Sequence, residues 1–368
     1  MNDINHIHKK QILKAIIFIL GFLFLLRTVT YVIRTNGSVK DRFVGFYAEP
    51  KDTLDVVIVG SSPVYPCFSG AKIWGESGIT CYPLSSNMQP VTAALPLVKE
   101  IRKTQQPQLL IFEIKQFTTY ANDIGYDKKM AYTRGVTDNM KYSLNRIDAI
   151  HRMVEEPAER LTYYFDIFKY HSNWKTMVMP SQLACWRYEH LAPMKGFEFK
   201  DGYRPVAYTD YSTDTDVTPI PPDKEEALRE LLDYLQANGL QSLFIVAPYA
   251  YEFAEKQQNY NYMQQIIEEY DYEFLNLNDH LEEIGFDFAT DFYDGGVHTN
   301  AVGGEKCTAF LTEYLTKHYT FADKRGDAAY HSWDTAYTQW CEQMERSRVK
   351  IKQDIENQTP TVLEEAEE

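Results

Sequence analysis

The sequence predicts an α/β fold built on a parallel sheet, and three observations lead there. Short, bulky apolar runs alternate with segments of helical period between about residues 54 and 318. The runs are apolar nearly throughout, as in strands buried on both faces. Proline, glycine and asparagine mark the joints between them. At 368 residues the chain has ample material for a buried core.

Leu54-Asp55-Val56-Val57-Ile58-Val59 reads as the first strand and runs into a Gly60-Ser61-Ser62 corner, with a helix-like stretch at about Phe68–Ser77. Ile79–Leu84 is the second strand, and Pro83 suits an end or edge position because it cannot donate to a ladder. Pro90 can open the next helix, where Ala94, Leu97, Val98 and Ile101 recur at helical spacing. Leu109–Ile114 is the third strand. A helix over about Lys224–Ala237 stops at Asn238-Gly239, and Leu243–Ala247 follows as the fourth strand. A helix near Tyr260–Tyr270 leads to the fifth strand, Tyr272–Leu277, and the last core helix spans about Gly304–His318.

Residues 115–222 break this rhythm and are expected to form a cap inserted over the sheet edge, with helices near 143–154 and 159–170. Residues 327–356 read as a helix with Trp333, Tyr337, Trp340 and Met344 on one side. Residues 357–368 read as a disordered acidic tail.

At the amino end, Lys9, Lys10 and Lys14 precede the apolar run Ala15–Leu26. A bilayer needs about 20 apolar residues, so the run must continue to Ile33 and include Arg27, which can snorkel outward. No small-x-small cleavage pattern follows Leu26, which disfavours a cleaved signal peptide. The basic flank places the amino terminus inside. The expectation is a cytoplasmic tip and signal anchor over residues 1–34, spanning at 15–33. A short stalk to about Ala48 and an extracytoplasmic α/β domain over 35–326 would follow.

The net charge of −15 and the lack of a basic stripe exclude nucleic acid as an expected partner. Five scattered cysteines, Cys67, Cys81, Cys185, Cys307 and Cys341, form no Cys-x-x-Cys pair and no zinc pattern. Cys67 and Cys81 can pair if their strands lie side by side; buried free thiols are the simpler reading. No cofactor and no metal is expected.

A serine past a buried strand needs a histidine base and a carboxylate to orient it. Ser62 ends the first strand, and Asp294 and His298 lie just before the last core helix. Doubly wound chains often bring these two ends to one sheet edge.

Gly60-Ser61-Ser62 resembles the amino-terminal serine block of SGNH (GDSL-like) hydrolases. Asp291-Phe292-Tyr293-Asp294-Gly295-Gly296-Val297-His298-Thr299-Asn300 resembles their closing Asp-x-x-His block. The likeness covers about residues 40–320 and is strongest to membrane-anchored members common in Gram-positive bacteria. It implies a three-layer flavodoxin-like sheet, Ser62 as nucleophile, His298 as base and Asp294 as its orienter. Asp291 is held in reserve, because Asp294 stands four residues before His298 and the family aspartate stands three.

It also implies an oxyanion hole from Ser62 and the stretch Leu84–Gln89. That stretch lacks the family's glycine, so Ser85 or Ser86 N–H would serve and Asn87 could add a side-chain donor. In place of the family's Gly-x-Asn-Asp block stands Phe112-Glu113-Ile114-Lys115. Tyr132, Arg134, Asn139, His171 and Trp174 of the cap are further candidates for the missing donors, although packing is their more ordinary role. The expected activity is a serine esterase or acyltransferase on acylated cell-envelope polymers or glycans. The alternative is a catalytically degenerate envelope-binding or scaffold protein with the same fold. A cofactor-binding flavodoxin-like domain fits poorly, because Gly60-Ser61-Ser62-Pro63 cannot cradle phosphates.

Overall fold

A computed structural model describes residues 2–34, 36–118, 126–175, 177, 182, 183, 188, 190–251 and 253–362. Cys185 and the end of the acidic tail lie outside the described residues.

Five parallel strands form the centre: β1 (Val56–Gly60), β2 (Cys81–Ser85), β3 (Leu109–Glu113), β4 (Ser242–Val246) and β5 (Glu273–Asn276), in the order β2-β1-β3-β4-β5. The period of two sorts their side chains cleanly. Val57, Val59, Leu110, Phe112, Phe244 and Val246 enter the core on one face. Val56, Ile58, Leu109, Ile111, Leu243 and Ile245 enter the core on the other. Both faces are therefore covered, which explains the uninterrupted apolar runs. Pro83 is tolerated because β2 is an edge strand.

In chain order the helices are α1 (Asn2–Ile33), α2 (Ser38–Ala48), α3 (Val64–Cys67), α4 (Gly70–Ser77), α5 (Ala94–Ile101), α6 (Tyr126–Thr137), α7 (Leu144–Met153), α8 (Pro157–Tyr164), α9 (Ile167–Tyr170), α10 (Pro222–Ala237), α11 (Glu255–Glu269), α12 (Leu281–Ile284), α13 (Ala301–His318) and α14 (His331–Glu356). Lys9–Ile33 of α1 is long and apolar enough to cross a membrane.

The expected stalk is instead α2. Phe43, Phe46 and Tyr47 share one helical face and bury against the sheet beside Tyr82, so this stretch belongs to the core. Helix α6 was not foreseen: Tyr126–Thr137 is polar and weakly amphipathic, although Thr133, Arg134, Val136 and Thr137 of its second half are buried. Trp333, Trp340 and Met344 of α14 are buried as expected, packing toward α4, where Trp74 Nε1 donates to Asp334 at 3.0 Å. Cys67, Cys81 and Cys307 are buried free thiols, and Cys341 is an exposed one.

Candidate active site

The register brings Gly60 opposite Ser85 and sets Glu113 opposite Ile245, so the strand ends that carry the candidate residues share one edge of the sheet. Ser61 and Ser62 follow β1 directly and are buried. Ser61 O accepts from Val64 N at 3.1 Å, which turns the chain into α3.

The second half of the site is a closed loop ahead of α13. Phe292 bridges Thr299, and Tyr293 N donates to His298 O at 2.9 Å. Asn300 caps α13, its Oδ1 accepting from Val302 N and Gly303 N at 3.1 and 3.0 Å. Such a cap contributes about 1 kcal/mol and fixes the helix start at Ala301, three residues beyond His298. Gly296 takes φ 89° inside this loop, a left-handed conformation that glycine adopts without steric cost.

Helix α13 ties this loop to the serine corner. Gly304 lies so close to Pro66 O that a Cβ would overlap it, Thr308 Oγ1 donates to Cys67 O at 3.0 Å, and Ser69 N donates to Thr308 Oγ1 at 3.0 Å.

Asp294 Oδ2 pairs with His298 Nδ1 in a short hydrogen bond, and Asp294 Oδ1 accepts the backbone N–H of His298 at 2.9 Å and of Val297 at 3.1 Å. Burial alone would raise the Asp294 carboxyl. The ring hydrogen bond, the His298 charge and the two backbone donors outweigh it and hold Asp294 below the usual carboxylate range. Asp291 is placed elsewhere: its Oδ2 accepts Lys306 Nζ at 2.6 Å and Asp287 N at 2.8 Å. The reserve carboxylate therefore braces the loop and does not orient the imidazole.

With Nδ1 assigned to Asp294, Nε2 is the free nitrogen of His298, and it is buried without a hydrogen-bond partner. It follows that Ser62 Oγ does not bond to the ring in this conformation. The ring is stacked on Tyr65 with centroids 6.3 Å apart, and the Arg42 guanidinium lies over the Tyr65 ring, 4.0 Å from its centroid. Arg42 Nε also donates to Ser85 O at 3.1 Å, and Arg42 pairs with Glu198 at 3.1 Å. One buried arginine thus supports both the histidine's aromatic neighbour and the peptide expected to supply an oxyanion donor.

That donor set is only partly open. Ser86 N is directed at Gly60 O at 3.4 Å, and Gln89 Nε2 donates to Ser86 Oγ at 3.4 Å. Ser85 Oγ is buried without a partner, whereas Asn87 is exposed and lines a cavity of about 570 Å³ with Arg134 and Asn139. Tyr132 lines a separate cavity of about 150 Å³ beside Met88, Gln89 and Gln116. His171 and Trp174 are exposed on the cap and line neither cavity.

Glu113 and Lys115 occupy the place of the missing block. The Glu113 carboxylate accepts from Lys115 N at 3.1 Å and lies near the backbone N–H groups of Ser61 and Ala247, while Oε2 stays buried and unpaired. Burial pushes Glu113 up to about 7, against the pull of Lys115 and those N–H donors. Burial brings Lys115 down to about 8, opposed by the charges of Glu113 and Asp294, and its ammonium sits 4.3 Å from the Tyr249 ring centroid. Sequence reasoning missed Arg42 and Tyr65. The available signal was a charged residue inside the apolar face of α2. Compared with known proteins, the chain matches no protein-family model and no curated protein.

Proposed function

We propose that this chain is a membrane-anchored, extracytoplasmic serine esterase or acyltransferase of the SGNH type, with a flavodoxin-like core. It would act on acyl esters, such as O-acetyl or D-alanyl groups, of cell-envelope polymers. The observation that carries the reading is the Asp294–His298 pair with its buried, unpartnered Nε2, attached through α13 to the corner that bears Ser62. A histidine held by carboxylate at Nδ1 presents a proton acceptor at Nε2, the tautomer that a serine nucleophile requires.

In this mechanism Ser62 Oγ turns toward Nε2 and attacks the acyl carbonyl as its proton passes to His298. Asp294 stabilises the imidazolium. The tetrahedral oxyanion is met by N–H donors from Ser62 and the Ser85–Asn87 loop, and its collapse releases the alcohol with the proton from His298. Water or a sugar hydroxyl then takes the acyl group from Ser62. The amino-terminal basic flank supports an inside amino terminus and an outside catalytic domain.

A second reading, a scaffold that keeps the fold without turnover, is favoured by two observations. His298 Nε2 lacks the serine bond, and Ser86 N–H is directed at Gly60 O. Fluorophosphonate labelling distinguishes the two. The esterase reading expects labelling of wild type and Ser61→Ala, and none of Ser62→Ala or His298→Ala. Wild type that neither labels nor turns over a short acyl nitrophenyl ester establishes the scaffold instead.

A further inference from the structure

We infer that the cap helices α7–α9 form a membrane-docking surface that sits in the outer interfacial layer of a phospholipid bilayer beside α1. The inference rests on the membrane-anchor part of the proposed function and is independent of its chemistry.

The first argument is one of length. Ala15–Ile33 rises about 28 Å at 1.5 Å per residue, just enough for a hydrocarbon core of about 30 Å. The outer turns of that stretch are not free of protein. Thr30, Tyr31 and Ile33 are buried, and Leu23, Leu26, Arg27 and Thr30 line a cavity of about 230 Å³ with Tyr142, Phe165 and Ile167 of the cap. Asn173 Nδ2 donates to Ile33 O at 3.0 Å, and buried Arg34 pairs with Asp166. If the cap stood clear of the bilayer, the level of Leu23 would have to stand clear as well. Only Ala15–Phe22 would remain to span, about 12 Å. Cap and outer leaflet must therefore occupy the same level.

The second argument is the outer face of those segments. Leu144 is 85% exposed, Leu161 52%, Phe168 58% and Trp174 63%, with Ile147 and Phe165 also exposed. Outside α1 and residues 142–183, the other exposed large apolar side chains among the described residues are Val217, Phe253, Val349 and Val362, scattered along the chain. Exposed apolar and aromatic side chains concentrated in one stretch of chain, which itself packs against a spanning helix, fit a lipid interface. Exposed Lys169 and Lys175 lie on the same segments and suit headgroup phosphates, in a chain whose net charge is −15. The arrangement also accounts for Arg27, whose guanidinium lies 5.8 Å from the Tyr142 ring centroid supplied by the cap. The cavity shared by Arg34, Lys40 and Asn87 then opens just above the headgroups.

The test uses the full chain in phosphatidylglycerol–phosphatidylcholine vesicles, with Cys185 and Cys341 replaced by serine. Single nitroxides are placed at Phe168→Cys, Leu161→Cys, Val349→Cys and, within the span, Phe18→Cys. Collisional accessibility to oxygen and to a neutral nickel chelate is then read. The expected result is a lipid-like ratio, several-fold above that of position 349, at positions 18, 161 and 168. A lipid-like ratio at 18 with water-like ratios at 161 and 168 overturns the docking surface and leaves the anchor standing. A water-like ratio at 18 overturns both.

Discussion

Replacing Asp294 by asparagine isolates the orienting carboxylate from the loop it also holds. The carboxylate accepts three hydrogen bonds, two of them from the backbone N–H groups of Val297 and His298 through Oδ1. Asparagine can keep those two, so the loop and the α13 cap should persist. Towards His298 Nδ1 it would present an NH₂ donor where the carboxylate accepted, and the ring must answer with its other tautomer. Nε2 would then carry the proton and could not take one from Ser62. The corresponding change in a Ser-His-Asp triad lowers kcat about 10,000-fold, equal to about 5.4 kcal/mol of transition-state stabilisation. The assay is the second-order rate of fluorophosphonate labelling at fixed neutral pH, with urea melts of both proteins alongside. Asp294→Asn labelling within threefold of wild type, with an unchanged melt, would refute the assigned role.

Other outcomes follow from the surrounding structure. Because burial raises Glu113 from 4.5 to about 7, the folded protein holds a proton there that the unfolded chain releases. Stability from this group is present below about pH 4.5 and is lost as pH rises to about 7. The melting temperature of wild type relative to Glu113→Gln should therefore fall across that window; a flat difference contradicts it. Arg42→Met removes the support of Tyr65 and Ser85 O but leaves Glu198 paired with Lys200 at 2.6 Å, so the loss should be about 2–3 kcal/mol in urea, below the full cost of breaking a buried pair. Gly304→Ala should cost about 1–3 kcal/mol despite alanine's better helix propensity, because its methyl meets Pro66 O. Slower labelling should accompany that loss, read against Gly21→Ala, where open space surrounds the new methyl.

The sheet was readable because burial on both faces imposes a local demand, and Val56–Val59, Leu109–Phe112 and Leu243–Val246 each answer it within a few residues. Asp294 and His298 were readable for a similar reason, since their loop closes on itself. The N–H groups proposed as oxyanion donors were not, because a backbone N–H leaves no mark of its direction in a side-chain sequence. Arg42 was hidden by distance: its partners Tyr65, Ser85 and Glu198 are set by the fold, and its own neighbours suggested only a linker. The supposed stalk failed on the same point, as three aromatic residues on one helical face signal burial only once β2 is there to receive them.

The bond from Ser69 N to Thr308 Oγ1 joins residues 239 positions apart. At ordinary synthesis rates of 5–20 residues per second, roughly 10–50 s separate the making of its two ends. Throughout that interval the serine corner exists without α13, and a chain interrupted before residue 298 lacks the His298 proposed to activate it. On the proposed esterase reading, acyl chemistry would thus be withheld from nascent and truncated chains by the order of synthesis alone, and it would begin only when the carboxyl-terminal third has folded back onto the first strand.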